Sequence, residues 1–191
     1  MLFDMDGTLT APFLDFDAIR RETGVGNRPL LETIAQMESL KRQAAEAVLH
    51  GHEDRCAAEC ELNPGCHELI DWLKSLQIRL AVVTRNSLKS AAMVFARHAI
   101  KIDTLITRDD GVFKPAPDPL FMACRRLEVA PADTWMIGDG SYDVMAGNAA
   151  GMRTIWLSHG QPQDFDAVPD FEVRDLLELF AMFKRCTQMS V

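Results

Sequence analysis

The sequence predicts an α/β protein: a Rossmann-like open parallel sheet with helices on both faces, carrying a small α-helical insertion. Three observations lead there. From residue 63 onward, short apolar runs alternate with helical periodicities, and such alternation means parallel strands joined by crossovers. Residues 13–62, in contrast, carry helical signals almost throughout and no strand pattern. The unusual polar clusters all fall just after predicted strands, at the edge where open α/β sheets bind their ligands.

The elements follow in order. Leu2-Phe3-Asp4 reads as the first strand, a short one, since only Met1, Leu2 and Phe3 precede Asp4. Such a strand buries little and brings a charged terminus close to the core. Helices are expected over 15–22, 29–38 and 40–61, with Gly24 and Gly26 marking the first break. Asn27 and Pro29 suit an N-cap and first turn of the second helix. Asn63-Pro64-Gly65 is turn chemistry, and Leu69, Trp72, Leu73 and Leu76 then recur at helical spacing. Residues 79–84 read as a buried strand, followed by a helix over 87–98. A strand at 103–107 leads to a helix at 117–127, and a strand at 134–137 to a helix at 142–150. The strand at 153–157 and a helix over 173–185 complete the chain. Residues 1–10 and 63–191 would form one core, and 11–62 a helical cap inserted into it.

Composition narrows the function. The 191 residues include 28 acidic and 20 basic side chains, a formal charge of −8. A protein that coats DNA or RNA needs a basic face, so no nucleic-acid partner is expected. A small anionic substrate remains compatible, because it needs only a local positive pocket. No apolar run approaches the ~18 residues of a membrane span, and no signal-peptide pattern opens the chain. The five cysteines are scattered, with no CxxC pair, which predicts neither a disulfide framework nor a zinc site. A reduced cytoplasm, no membrane partner, and a monomer or homodimer are the expectations.

Four polar clusters carry the chemistry. Asp4-Met5-Asp6-Gly7-Thr8 ends the first strand and Thr84-Arg85-Asn86-Ser87 the second. Gly138-Asp139-Gly140-Ser141-Tyr142-Asp143 ends a later strand, and Lys114-Pro115 lies after the third. Two close carboxylates do not both stay ionised cheaply unless a cation joins them or one keeps a proton. Mg²⁺ suits such a place, since it binds a few carboxylates and is completed by water and phosphate oxygens. Asp139 and Asp143 supply further negative oxygens. Singly, each of these acids also suits a turn or a helix N-cap; their joint placement on one edge favours the cation. Thr84 and the backbone N–H groups after it suit phosphate oxygens at a helix N-terminus. Ser87 is better read as an N-cap, and Lys114 draws its weight from its neighbours.

Together these residues resemble the haloacid dehalogenase (HAD) superfamily of phosphatases and phosphotransferases. The resemblance covers residues 1–10 and about 63–160, with Asp4-x-Asp6-Gly7-Thr8, Thr84, Lys114-Pro115, and Gly138-Asp139 with Asp143 standing in the family's four motifs. It looks like the subgroup with a helical cap between the first two motifs, similar to phosphoglycolate phosphatases. The resemblance implies that Asp4 is the nucleophile and Asp6 the general acid and base. It further implies that Asp4, Asp6 (through its backbone carbonyl), Asp139 and Asp143 bind Mg²⁺, and that Thr84, Arg85 and Lys114 bind phosphate. Dehalogenating members usually lack the second Asp, so Asp6 points to a phosphatase. Thr10-Ala11 departs from the acidic-plus-small pair often found after the first motif. The implied partner is a small phosphorylated metabolite; a sugar-phosphate mutase and a catalytically silent binding protein are the alternatives.

Within the cap, Arg20, Arg21, Lys41 and Arg42 suit either a second anionic group of the substrate or a solvated helix face. His52, Cys56 and Cys60 share one helical stripe, which suits buried packing better than a metal site.

Overall fold

The computed structural model describes residues 1–188. Its strands are β1 (Leu2–Phe3), β2 (Ala81–Val83), β3 (Thr104–Ile106), β4 (Trp135–Gly138), β5 (Arg153–Leu157) and β6 (Phe171–Val173). They form one sheet in the order β3-β2-β1-β4-β5-β6, with every pair parallel. The helices are α1 (Phe16–Thr23), α2 (Leu30–Ala35), α3 (Ser39–Glu59), α4 (Cys66–Ser75), α5 (Leu88–His98), α6 (Asp118–Leu127), α7 (Ser141–Ala149) and α8 (Leu176–Gln188).

The shortest strand sits at the centre. Leu2 pairs with Ala81 and Met136, and Phe3 with Val82 and Ile137, so two residues are laddered on both sides. Side chains alternate across a sheet, and both faces of β1 are covered. Phe3 packs with Val82, Ile137 and Ile155 against α4, α5 and α8. Leu2 packs with Ala81, Val83 and Met136 against α6 and α7. The Met1 nitrogen donates to the Arg79 carbonyl at 2.7 Å.

Residues 11–62 form the expected three helices around a small core of their own, from Ile19, Val25, Leu30, Ile34, Ala45 and Leu49. Asp15 caps α1 by accepting from the Ala18 N–H at 2.8 Å, and Gly24 ends it in the left-handed region. Asn27 does not cap α2; Pro29 holds the N-cap position and no side chain bonds there. The insertion leaves and rejoins the core side by side. Thr10 and Leu62 form an antiparallel bridge, the Ala11 N–H donates to the Glu61 carbonyl at 2.8 Å, and the Asn63 N–H donates to the Leu9 carbonyl at 2.9 Å.

The boundary of the last helix is corrected too. The last helix begins at Leu176, not at 173, and Phe171–Val173 is an edge strand paired with β5. Asp175 accepts from the Glu178 N–H at 2.8 Å, and Glu178 accepts from the Arg174 N–H at 2.7 Å. That Asp-x-x-Glu pattern is a helix-start signal, and it fixes the boundary two residues past the strand. Among the described residues no helix is long and apolar enough to cross a membrane.

Candidate active site

The carboxyl ends of the central strands bring the predicted acids together. Asp4 follows β1, and the chain then turns through Gly7 at φ +77°. A Cβ on Gly7 would stand 2.0 Å from Asp139 Oδ2, so glycine alone lets the two loops close on each other. Gly138 plays the same part after β4, where a Cβ would fall 2.2 Å from the Asp143 carboxylate. The Thr8 hydroxyl donates to Asp139 Oδ1 at 3.4 Å, and the Gly140 N–H donates to Asp143 Oδ2 at 3.1 Å. Lys114, in the segment between β3 and α6, is 2% exposed. Its Nζ donates to Asp4 Oδ1 at 2.6 Å and also to Asp143 Oδ1.

Charge is unevenly distributed in this cluster. Burial pushes the Asp4 carboxyl up to about 6, while the neighbouring Lys114 ammonium pulls it back. Burial pushes Asp6 and Asp139 further, each up to about 8, and in both the negative Asp4 adds to the effect. For Lys114 burial acts downward, but Asp143 and Asp4 outweigh it and hold the ammonium above its ordinary range. Burial and the neighbouring charges thus separate the two acids on this loop, with Asp6 pushed further up than Asp4. Environments that push paired carboxyls apart assign them separate tasks, one as base or nucleophile and one as acid.

Opposite the acids lies a set of donors. Thr84 follows β2, and its Oγ1 accepts from the Asn86 N–H at 3.1 Å. The sequence places Asn86 in the polar cluster after the second strand without giving it a role, and its Nδ2 is the only buried side-chain nitrogen or oxygen without a partner among the described residues. A buried amide left unpaired costs free energy, and this one lines the same cavity as Asp4 and Lys114. Arg85 also lines the cavity, but its guanidinium is engaged. It pairs with both oxygens of Glu32 from α2, at 3.0 and 3.1 Å, and bonds the Lys114 carbonyl. It also stacks 4.5 Å from the Tyr142 ring and 5.0 Å from that of Phe113. Ser87 is the N-cap of α5 and donates to Glu53 at 3.2 Å.

Several supporting contacts come from distant positions. Asn63 Nδ2 donates to the carbonyls of Gly7, Thr8 and Thr10, at 3.1, 2.8 and 3.0 Å. His159 Nε2 bonds the Gly7 carbonyl at 2.6 Å, and Trp156 Nε1 donates to the Asp139 carbonyl at 2.9 Å. From α3, the Cys56 thiol donates to Asp6 Oδ1 at 3.7 Å. Cys56 and Cys60 are buried, and His52 is bonded instead to Glu22 at 2.9 Å. Local sequence announces none of these pairings. Asn63 reads as a turn residue, and it is one, but its amide also clamps the loop after Asp6.

The cavity over these groups measures about 600 Å³, with the strand ends as its floor and residues of the helical insertion as its roof. Carboxylate oxygens of Asp4, Asp139 and Asp143 lie within 4.8 Å of one another. Oxygens around a small hard cation in octahedral geometry at ~2.1 Å stand roughly 3–4.2 Å apart, so a modest contraction fits the trio to a divalent ion. Four acids facing one lysine also leave the site short of positive charge.

Fold and site together define an α/β enzyme whose carboxylates at the strand ends suit a divalent cation and an anionic ligand. Residues 1–151 match the sequence model of the haloacid dehalogenase-like hydrolases, and the chain belongs to that family. It is 29% identical to a haloacid dehalogenase-like hydrolase domain-containing protein of Arabidopsis thaliana, over 94% of this chain and 81% of the relative. It is also 29% identical to a phosphoglycolate phosphatase of Nitrosococcus oceani, over 94% and 93% of the two chains. A hydrolase from Pseudomonas syringae superposes with a TM-score of 0.80 at 20% identity, covering 96% and 97% of the chains, and shares the fold.

Proposed function

We propose that this chain is a Mg²⁺-dependent phosphatase that hydrolyses phosphomonoester metabolites through an aspartyl-phosphate. One observation carries the reading: Lys114 bridges Asp4 and Asp143 at the cavity floor, with Asp6, whose carboxyl burial pushes up, on the same loop. A nucleophile held ionised by a lysine beside a protonated acid is the pairing that phosphoryl transfer to a carboxylate needs.

In the first step an Asp4 oxygen forms a bond to phosphorus and the bond to the ester oxygen breaks. Asp6 gives its proton to that leaving oxygen, so an alcohol departs rather than an alkoxide. In the second step Asp6 takes a proton from water, whose oxygen attacks phosphorus and frees Asp4 and inorganic phosphate. Thr84, the unpaired Asn86 amide and Lys114 would hold the transferring oxygens. Asp4, Asp139 and Asp143, with the Asp6 carbonyl, would hold Mg²⁺, which when bound neutralises phosphoryl charge. Arg85 would serve the roof rather than the phosphate, tying α2 to the core through Glu32, so that residues 11–62 act as a cap excluding water.

Phosphate release from acetyl phosphate and from a metabolite panel tests this reading. Mg²⁺ should be required, chelation should abolish release, and Asp4→Asn should lower the rate at least about a thousandfold. Undiminished hydrolysis by Asp4→Asn would refute the covalent route.

A further inference from the structure

The cavity has two chemically different halves. Its floor is polar, built from the acids, Thr84, Asn86 and Lys114. Its roof is apolar, built from Phe13, Leu14, Phe16, Leu30, Leu31 and Leu49. Phe13 and Phe16 are 42% and 47% exposed, so these two rings face the cavity side without being spent on the insertion's own core. A volume near 600 Å³ lies within the range of roughly 300–1,000 Å³ that accepts ligands well beyond a bare phosphate.

Charged groups around this roof are nearly all engaged. Arg85 is bound to Glu32, and Glu53 is bound to Arg108. Arg20, on α1, is the exception. It lines the cavity, and its nearest acid is Asp17 at 3.5 Å, whose side chain is 84% exposed. The guanidinium also lies 5.9 Å from the centroid of the Phe16 ring, a contact made through its face, so this ring contact and the loose surface pair leave its N–H edge available to an anion. Of the six lysine and arginine residues in the insertion (Arg20, Arg21, Arg28, Lys41, Arg42 and Arg55), only Arg20 lines the cavity. Asp164 also lines it and is the one acid there outside the floor cluster and the Glu53 pair.

We infer that the preferred substrate is a phosphomonoester whose leaving group has an apolar body of several carbons and an anionic group at its far end. This inference rests on the phosphatase reading above. Arg20 receives the distal anion while the phosphoryl group occupies the floor. A polyhydroxylated leaving group is disfavoured, because its hydroxyls would meet Phe13, Leu14, Leu31 and Leu49 and find no partners. Each stranded hydroxyl weakens binding by about tenfold.

The test compares three esters of primary alcohols, so that leaving-group basicity stays matched: hexyl phosphate, 6-(phosphonooxy)hexanoate and glucose 6-phosphate. Initial rates with Mg²⁺ on the full chain should rank kcat/KM as the hexanoate first, hexyl phosphate second and the sugar phosphate last. Steps of about tenfold are expected. Arg20→Gln should lower the hexanoate-to-hexyl ratio of kcat/KM by about tenfold, mainly through KM. Glucose 6-phosphate hydrolysed as fast as hexyl phosphate would overturn the apolar body. A selectivity ratio untouched by Arg20→Gln would overturn the distal anion. No release from any ester or from acetyl phosphate would overturn the phosphatase reading, and this inference with it.

Discussion

Asp6 is touched from the helical insertion. Its Oδ1 accepts from the thiol of Cys56, a residue of α3 that is buried beside Met5 and Leu9 in the main core. A thiol is a weak donor, but here it fixes the rotamer of the group that must deliver a proton. Cys56→Ala should therefore slow the hydrolysis of alkyl phosphates about threefold. Esters with good leaving groups, such as p-nitrophenyl phosphate, should lose less, because they need little proton transfer. Cys56→Ser should recover most of the loss. Equal slowing of both ester classes would mean that the thiol only packs. At this scale the sequence was informative about reacting groups and silent about their supports. Asp4, Asp6 and Asp139 were readable because they stand just after predicted strands, Asp143 because it falls in the same cluster as Asp139, and Lys114 only through its neighbours in the pattern. Arg85 shared such a position, yet Glu32 in a distant helix captures its charge. Asn86 is distinguished only by lacking a partner, which no local sequence reveals.

The elements are held together by a division of charge. Glu32, Glu53, Asp54 and Glu61 lie in the insertion or at its end, and each pairs with a base of the core: Arg85, Arg108, Lys89 and Arg97. These pairs are unequal. Glu53 is 2% exposed, accepts two bonds from Arg108 and one from Ser87, and removing it would strand a nearly buried guanidinium. Glu53→Ala should cost about 3–5 kcal/mol in denaturant unfolding. Asp54→Ala breaks the solvent-exposed pair with Lys89 and should cost less than ~1 kcal/mol. Comparable losses would mean that burial does not set their weight. Helices and strands were legible here wherever periodicity was undisturbed, as at α5, α6 and β5. The last boundary was misread because Val173 fits a helical spacing as well as a strand end. Asp175 and Glu178 hold the correcting signal, and it competes with periodicity in any reading of the segment.

Across the whole molecule, the acids at the strand ends make stability depend on pH. Asp4, Asp6 and Asp139 are raised from 3.8 to about 6, 8 and 8. Between those limits the folded chain binds more protons than the unfolded one. Stability is then fully present below about pH 4 for these groups and is lost as pH rises toward 8. In chelator, the unfolding midpoint should fall between pH 5 and pH 8 by at least a few degrees. A divalent cation replaces those protons, so saturating Mg²⁺ should raise the midpoint more at pH 8 than at pH 5. A midpoint that climbs with pH in chelator would contradict the buried, proton-holding site. The parallel sheet was legible at this scale, since alternating elements leave few alternatives. The roof of the cavity was not, because it depends on how α1 to α3 dock, through contacts between residues far apart in the chain.

The paired tethers at Thr10 and Leu62 also bear on how the sheet forms. Leu2 must find Ala81 across nearly eighty residues, a costly closure for a strand of two residues. Once Thr10 meets Leu62, fewer than thirty residues separate the two strands by the shortest route. Closure entropy grows only with the logarithm of length, so the saving is ~1 kcal/mol. The same logarithm works in the other direction. Whatever lies between the tethers can lengthen or shorten at small entropic cost to the sheet, and the roof can change while the floor stays in place.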